Sequence, residues 1–374
     1  MINGKIAVCL CACFLWKTVS FAQSTTNNPY NIKVPVRAGV LPNVSTQGKN
    51  DKFTTSNFSL NLFGGYTGSV NGLELGGWFN IDKRNLKGMQ AAGWFNVVNG
   101  DVNGLQLAGF FNGAKNNVTG AQFGGLVNYA NKNANGMQAA GIYNHVAGNF
   151  NGFQTAGIVN YSQQSVKGMQ IAGIANINTG ATKGFQVAGI VNYTKHLKGL
   201  QLGLINIADT SDGFSIGLLN IVKKGYHKIT ISSNEVLNAN LAIKSGNAKL
   251  YNILLVGVNA GEDDKIFSYG YGIGHEMKIA KWFALNPELT TQYLYLGNWN
   301  YLNQLTKFQV LATVKLARNI AIFGGPSFSV YYSDQLEAVK GYKFQVPKDN
   351  YHTYNLWRDN VTGWIGWTAG ISFL

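Results

Sequence analysis

Cysteine is almost missing from this chain of 374 residues, which contains only three. All three, Cys9, Cys11 and Cys13, lie near the amino terminus, in a segment with an early lysine, an apolar run and a small-residue end at Ala22. This pattern predicts a secretory signal peptide over residues 1–22. A chain that loses this segment has no thiol, which excludes a disulfide framework and a cysteine metal site.

A lipid anchor is the alternative for the same segment. Leu10-Cys11-Ala12-Cys13 has the form of a lipoprotein box, in which Cys13 would carry the lipid. The apolar run continues beyond Cys13, however, and this favours a cleaved signal peptide over lipidation.

Charged residues make up only 12% of the chain, although its formal net charge is +14. The basic residues stand singly in joints between apolar segments, whereas a nucleic-acid-binding surface gathers them on one face. We therefore expect no nucleic-acid partner. No apolar run of 18 residues follows the signal segment, which excludes a membrane-spanning helix. Abundant glycine, scarce proline and 13% aromatic residues are typical of a large all-β protein.

The chain does have a regular repeat. A nine-residue phrase of the form Gly, apolar, Gln, x, Ala/Gly, Gly, x, x, Asn recurs every 16 residues without insertion or deletion. Its copies begin at Gly72, Gly88, Gly104, Gly120, Gly136, Gly152, Gly168 and Gly184, and two looser copies begin at Gly199 and Gly213. Repetition this regular predicts an array of one supersecondary unit.

Within each copy, polar and apolar residues alternate with a period of two, which predicts β-strands. One parity is nearly constant and includes Gln106, Phe110 and Asn112, whereas the other is apolar and freely exchanged, as at Leu105 and Leu107. Each strand has about ten uncharged residues, the length of a tilted membrane-spanning β-strand.

Two architectures fit this unit, an antiparallel wall and a parallel solenoid. Tyr129, Tyr161 and Tyr193 stand two repeats apart, and this 32-residue period favours an antiparallel wall, in which only every second strand has the same surroundings. The constant glutamines then form either a polar channel lining or a hydrogen-bonded ladder. The ladder is favoured, because Phe110 shares their parity and would obstruct a wide aqueous pore.

We therefore predict an all-β fold, an antiparallel up-and-down transmembrane β-barrel of about 18–20 strands. After the signal peptide it has a flexible tail over residues 23–52, an opening strand and repeat strands over residues 53–227, and further strands over residues 228–374 that complete the same barrel. The alternative is a β-solenoid of 16-residue coils joined to a smaller C-terminal β-barrel.

Catalytic chemistry is weakly represented. The five histidines are dispersed, and none has metal-ligand spacing with another. Ser268, His275 and Glu276 form the one local cluster that suggests a membrane lipid hydrolase, but Ser268 and His275 have opposite strand parity. We predict no enzyme activity and assign no catalytic, cofactor-binding or metal-binding residue and no cofactor.

The repeats resemble those of the bacterial surface-repeat-containing protein family. The resemblance rests on GLQLAGFFN, GMQIAGIAN and GFQVAGIVN and on the segment DGFSIGLLNIVKKGYHKITISSNEVLNANLAIKSG, and it covers about residues 58–260. From Tyr269 onward, GYGIG, LNPELT, KFQVL and IFGGPSFSVYYSD are similar to outer-membrane β-barrel domains of Gram-negative bacteria. The resemblance implies an exported cell-envelope protein and brings no activity or ligand.

The expected function is that of an outer-membrane β-barrel surface protein with a structural or interaction role, for which a narrow pore is one form. A surface-exposed or periplasmic solenoid adhesin or scaffold is the alternative, and a membrane lipid hydrolase is a distant one. The expected partners are outer-membrane lipid and the barrel-assembly machinery, which would bind the last strand, ending Ile371-Ser372-Phe373-Leu374.

Overall fold

The computed structural model describes residues 32–261, 264–347, 351–356 and 360–373. The predicted signal peptide, residues 1–22, lies outside them. The described residues form two sheets that follow one another along the chain, and the boundary lies between Val222 and Tyr226.

The first sheet is a parallel β-solenoid of about ten coils. Its strands are β1 (Ile32–Leu41), β2 (Val44–Ser45), β3 (Thr54–Asn61), β4 (Gly64–Thr67), β5 (Ser69–Gly76), β6 (Phe79–Asp82), β7 (Leu86–Ala92), β8 (Phe95–Val98), β9 (Val102–Ala108), β10 (Phe111–Ala114), β11 (Val118–Gly124), β12 (Val127–Ala130), β13 (Ala134–Ala140), β14 (Tyr143–Val146), β15 (Phe150–Ala156), β16 (Val159–Ser162), β17 (Val166–Ala172), β18 (Ala175–Ala188), β19 (Val191–Leu202), β20 (Ile205–Ser211), β21 (Phe214–Ile216) and β22 (Leu219–Val222). A short 3-10 helix, Gly48–Phe53, lies between β2 and β3.

Each coil has one long and one short strand. In the third repeat, β9 leads into a bend at Gly109 and Phe110, β10 follows, and a joint over residues 115–117 returns the chain to the next coil. In the eight regular repeats, each strand pairs in parallel with its equivalent 16 residues later, so that Gln106 faces Gln122 and Asn112 faces Asn128. The offset shortens to 15 and then 14 residues in the last coils, as from Gly184 to Gly199 and from Asn192 to Asn206. Every coil therefore places the same repeat position directly above its predecessor.

The second sheet is a closed antiparallel barrel of eight strands. These are β23 (Tyr226–Asn234), β24 (Ala239–Asn247), β25 (Leu250–Val258), β26 (Phe267–Gly274), β28 (Phe283–Tyr295), β29 (Asn303–Lys315), β30 (Ile320–Ser333) and β32 (Val361–Phe373), with β27 (Met277–Lys278) and β31 (Thr353–Asn355) paired to its wall. Pairing of β32 with β23 closes the barrel.

The prediction of a single antiparallel barrel of 18–20 strands, with residues 228–374 completing the barrel begun by the repeats, is therefore wrong. The alternative, a solenoid of 16-residue coils joined to a smaller C-terminal barrel, is confirmed. The 32-residue tyrosine period misled the prediction. Tyr129 and Tyr161 lie in one column on one face, and His145 of the intervening coil stacks between them with ring centroids 4.6 and 5.3 Å away.

The tail predicted over residues 23–52 also needs correction where the structure describes it. From Ile32 the chain forms β1, which pairs in parallel with β3 and covers the first end of the solenoid. The buried Arg37 anchors this strand, since its guanidinium forms an ion pair with Asp51 of the 3-10 helix at 2.8 Å. A lone arginine in a polar segment gave no periodic signal from which a strand could be predicted.

Candidate functional site

Two columns of buried amides run through the solenoid. In the Gln column, each side chain donates from Nε2 to Oε1 of the glutamine one coil earlier, as from Gln122 to Gln106 at 2.7 Å. The members are Gln90, Gln106, Gln122, Gln138, Gln154, Gln170, Gln186 and Gln201, all nearly or fully buried. The hydrogen-bonded ladder predicted from the sequence is therefore confirmed, and these amides do not line a channel.

The Asn column runs beside the Gln column with the opposite polarity. Each asparagine donates from Nδ2 to Oδ1 of the next coil, as from Asn112 to Asn128 at 3.0 Å. The same nitrogen donates to a backbone carbonyl, as from Asn112 to Phe123 O at 2.8 Å, which fixes the amide orientation. Buried amides are costly unless paired, so the two columns specify the register of every coil.

Charged residues terminate both columns at the first coil. The Gln column needs an acceptor there, and Glu74, which occupies a glutamine position, accepts from Gln90 Nε2 at 2.8 Å. The Asn column needs a donor, and the guanidinium of Arg37 donates to Asn61 Oδ1 at 2.5 Å. This pairing explains why fully buried charges lie in an otherwise uncharged interior.

A second carboxyl lies beside this terminus. Asp82 is fully buried, accepts from Thr67 Oγ1 at 2.6 Å and lies close to Glu74. Burial raises the pKa of Glu74, and burial together with the neighbouring Glu74 charge raises the pKa of Asp82 well above its usual range. The pair therefore retains a proton in the folded chain at a pH where exposed carboxyls have lost theirs.

We expect Asp82→Asn to flatten the pH dependence of solenoid stability. A carboxyl whose pKa is raised in the folded state stabilises the fold fully below its unfolded pKa, near 4, and this stabilisation is lost as the pH rises through its folded pKa. The stability of the variant relative to the wild-type protein should therefore be greater at about pH 8 than at pH 4.5. An amide fits this column, because Asn178 is buried there in a later coil. Hydrogen exchange of residues 54–98 at both pH values measures the effect. Exposed Asp264→Asn is the control, and equal pH profiles for the two variants would refute the assignment.

Most outward rows of the solenoid are apolar along its whole length. On the long-strand face, the outward positions equivalent to Leu105 and Leu107 carry Leu, Met, Phe, Ala, Ile or Val, with one threonine, Thr155. The corner, defined as the bend position of Phe110, is an exposed row. It contains Trp78, Trp94, Phe110, Leu126, Ile142, Ile158, Ile174, Ile190, Leu204 and Leu218. Phe110 is 51% exposed, so the bend turns it away from the amide interior that its sequence parity predicted.

The short-strand face continues this apolar surface on the other side of the corner. Its outward positions include stacked Phe79 and Phe95, with ring centroids 5.2 Å apart, and the column that holds Tyr129, His145 and Tyr161. Burial in this stack lowers the pKa of His145 to about 4, so the imidazole is neutral at pH 7. No titrating charge therefore interrupts this column at neutral pH.

Charge lies at the opposite edge of each coil, the joint edge, and on the outward row of the long-strand face next to it. Joint-edge residues include Lys83, Arg84, Lys115, Lys132 and Lys195. The adjacent outward row, at the position of Asn103, includes Lys87, Lys167, Lys183 and Lys198. Around one coil, polarity thus falls from the joint edge to the corner and rises again. The solenoid is amphipathic across its width.

The last coil packs against the outer wall of the barrel. Asn220, the end of the Asn column, donates to Asn252 Oδ1, which lies on the outside of β25. The hydroxyl of Tyr271 on β26 donates to Gly217 O at 2.9 Å, and the ammonium of Lys249 donates to Asp212 O at 2.8 Å. The column therefore continues directly from the solenoid into the barrel wall.

The barrel lumen is filled by side chains, as expected for eight strands. Glu235, between β23 and β24, folds inward, accepts from Trp364 Nε1 at 3.1 Å and pairs with Lys307 Nζ at 3.0 Å. Lys244 pairs with Glu288 nearby. Within the part of the chain that the structure describes, the cavity among these groups measures about 40 Å³, room for a few water molecules. A solute-conducting pore finds no support in this packing.

The outer wall of the barrel is apolar. Exposed residues such as Ile243, Leu289 and Ile322 cover its middle, and aromatic residues cover both ends. Along β28 this surface extends from Phe283 to Tyr293, roughly 34 Å of strand or about 26 Å along the axis at a tilt near 40°. That height matches the apolar band of about 25 Å on outer-membrane barrels.

The three residues of the hydrolase alternative are not brought together. Ser268 lies at one end of β26 and donates to Gln292 Oε1 at 3.1 Å, whereas His275 follows the other end and contacts Lys249 O. Glu276 forms an ion pair with Lys228 at 2.8 Å. This geometry contains no hydrogen-bonded relay from serine to histidine to acid.

The described residues contain no group of three or more His, Cys, Asp or Glu side chains placed to hold a metal ion. Nor do they include a helix with the length and apolar character needed to cross a bilayer. No known family model matches the chain, and no curated protein matches it. The molecule is therefore characterised by its own architecture, a repeat solenoid followed by a small closed barrel.

Proposed function

We propose that this protein is an outer-membrane anchor whose barrel spans the bilayer and whose solenoid is a structural or interaction arm. The single observation that carries the proposal is the outer wall of the barrel, an apolar band of membrane height with aromatic residues at both ends. An eight-stranded barrel with a filled lumen serves as an anchor better than as a channel. The resemblance of the repeats to those of bacterial surface-repeat-containing proteins supports a location in the cell envelope.

The connections between strands indicate which end faces the periplasm. At the end nearer the solenoid, the connections are 248–249, 275–282 and 316–319, and the last strand also terminates there. The other end has the connection over residues 334–360, much longer than any of these. Outer-membrane barrels have short periplasmic turns and longer extracellular loops. The solenoid therefore belongs on the periplasmic side, which favours a periplasmic scaffold over a surface adhesin.

The last strand supports a role for the barrel-assembly machinery as a transient partner. Strand β32 completes the barrel by pairing with β30 on one side and β23 on the other. Until that pairing forms, both of its edges offer unpaired backbone groups. The outward Phe373 lies at the periplasmic end of this strand, where an assembly factor would meet it.

Cysteine labelling on intact Gram-negative cells tests location and sidedness together. Single cysteines are clean probes, because all native ones lie within residues 1–22. We expect a membrane-impermeant maleimide to label Leu336→Cys, in the long connection, and to leave Arg318→Cys unlabelled until the outer membrane is permeabilised. Both native side chains are exposed, so neither substitution disturbs packing.

The other labelling patterns have definite meanings. The reverse pattern would place the solenoid outside the cell and favour the adhesin. Labelling of both sites, or of neither even after permeabilisation, would contradict an outer-membrane barrel.

A further inference from the structure

The apolar surface of the solenoid is too large and too continuous for an arm in water. Coils spaced roughly 4.8 Å apart give an array about 50 Å long, and a long strand measures roughly 23 Å. The apolar rows of Leu105 and Leu107 occupy roughly 13 Å of that strand and thus cover on the order of 600 Å², already the size of the largest patch of an ordinary monomer. The corner and the short-strand face extend this apolar surface further.

The junction fixes the height of each edge of the solenoid on the barrel. The joint of the last coil meets the periplasmic rim, where Lys249, in the turn between β24 and β25, binds Asp212 O. The corner of the same coil meets Tyr271, which pairs in register with Leu254, five residues up the wall from Lys249. At about 3.3 Å per residue and a tilt near 40°, the corner lies roughly 13 Å above the rim.

The solenoid axis points at the barrel wall. The Asn column runs along this axis, and its last hydrogen bond goes from Asn220 to Asn252 on the wall. The last coil also bonds to the wall through Asp212 O and Gly217 O, so the end of the solenoid lies against the wall and its axis runs outward from it. In the coils next to the barrel, the charged joint edge is therefore at the level of the rim, and the apolar corner is at the level of the apolar band.

The backbone N–H groups of the corner are bonded within the protein. At each bend, amide N–H groups donate to carbonyls of the preceding coil, as from Phe110 N to Trp94 O at 2.8 Å and from Ile142 N to Leu126 O at 3.0 Å. The interior amides pair with one another in the two columns. The N–H donors at the corner are therefore bonded internally, as hydrocarbon requires of backbone donors.

We propose that the solenoid lies within the periplasmic leaflet of the membrane. Lipid acyl chains cover its corner and the apolar rows of both outer faces, and the joint edge lies among the headgroup phosphates together with the lysine row next to it. This inference depends on the proposed membrane-spanning barrel. The lysines of the solenoid carry the positive charge that binds phosphate, and the apolar faces of the solenoid continue the apolar outer wall of the barrel.

A bilayer fits this surface better than a second copy of the chain. A partner protein would cover one face, whereas the apolar residues occupy both faces and the corner between them. Face-to-face pairing would also bring two basic joint edges side by side, which is unfavourable. An acyl-chain phase surrounds all three surfaces at once.

Depth-dependent fluorescence quenching tests the proposal on the full chain from residue 23, reconstituted in phospholipid vesicles. An environment-sensitive fluorophore is attached to Ile142→Cys at the corner, to Lys132→Cys at the joint edge, or to Leu289→Cys on the barrel wall. We expect brominated acyl chains to remove most of the emission at positions 142 and 289. Aqueous iodide should quench position 132 instead. Ile158→Cys, the corner of the next coil, repeats the measurement if Ile142→Cys folds poorly.

The fluorophore at position 289, on the barrel wall, shows whether a negative result contradicts only the membrane-embedded solenoid or also the membrane-spanning barrel. Lipid quenching at position 289 with iodide quenching at position 142 would leave the barrel in the membrane and put the solenoid in water, overturning the inference alone. Shielding of position 142 from both quenchers would mean that protein covers the corner, which also overturns it. Iodide quenching at position 289 would overturn both proposals.

Discussion

We expect Gly136→Ala to prevent the solenoid from forming a continuous stack. Gly136 has φ +125°, and a Cβ there would lie 2.0 Å from the carbonyl oxygen of Gly120 in the preceding coil. Neither backbone can move away without breaking the parallel pairing on both sides. The cost should exceed about 4 kcal/mol, because backbone strain adds to a clash with backbone atoms.

The measurement for Gly136→Ala is protease resistance and hydrogen exchange of residues 54–222 in the full chain. Gly324→Ala is the matched control, since its Cβ would have no neighbour closer than 3.6 Å. If the two variants were equally protected, the parallel stack with glycine on glycine would be wrong.

The second large effect is expected for Arg37→Met at the first end of the solenoid. Arg37 and Asp51 are both fully buried, and the guanidinium also donates to Ser59 and Asn61. Methionine keeps most of the volume but leaves the Asp51 carboxylate buried without its counter-ion. Breaking a buried ion pair on one side costs about 3–5 kcal/mol.

The loss of stability in Arg37→Met should first affect the coils next to Arg37 and only later the rest of the chain. Because each coil contacts its neighbours, fraying spreads from the damaged end. Hydrogen exchange should therefore accelerate over residues 32–82 in Arg37→Met, while residues 226–261 keep their protection. Exposed Arg318→Met should leave both segments unchanged. Uniform acceleration along the chain would contradict a capping role for Arg37.

Sequence reasoning found the strands and the repeat because both are local signals. Alternation between Leu105 and Gln106 reports which side chains share a face, whatever lies beside the strand. It does not report whether the neighbouring strand is parallel or antiparallel. A tyrosine in every second coil, as at Tyr129 and Tyr161, arises equally from an antiparallel wall and from one solenoid column in which other residues, such as His145, occupy the intervening coils.

The interior columns were predictable and the corner was not. Constant Gln and Asn at a 16-residue spacing already indicated a hydrogen-bonded ladder, because buried amides must be paired. The bend at Gly109 and Phe110 interrupts the alternation and turns Phe110 outward. Strict parity therefore placed an outward-facing row in the interior, and the amphipathic edge could not be recognised before the bend was known.

The solenoid–barrel junction had no sequence signal of its own. It depends on Asn252 and Tyr271, two polar side chains among many on outward-facing strands. Only the three-dimensional position of the last coil identifies them. The substitution of Glu74 for glutamine in the first repeat, by contrast, was a visible irregularity that marks where the columns end.

The opposite directions of the two amide columns have a consequence for how such a chain can change in length. Aligned amides in a single column would add their dipoles, and each new coil would raise the electrostatic demand on the two ends. Here the Gln and Asn dipoles point in opposite directions in every coil, so the net dipole of the two columns does not grow with the number of coils. The residues at the ends, Arg37, Glu74 and Asn252, therefore compensate the same partial charges in a longer or a shorter array. Duplication or deletion of a 16-residue unit therefore lengthens or shortens the arm in steps of roughly 4.8 Å, without redesign of either end.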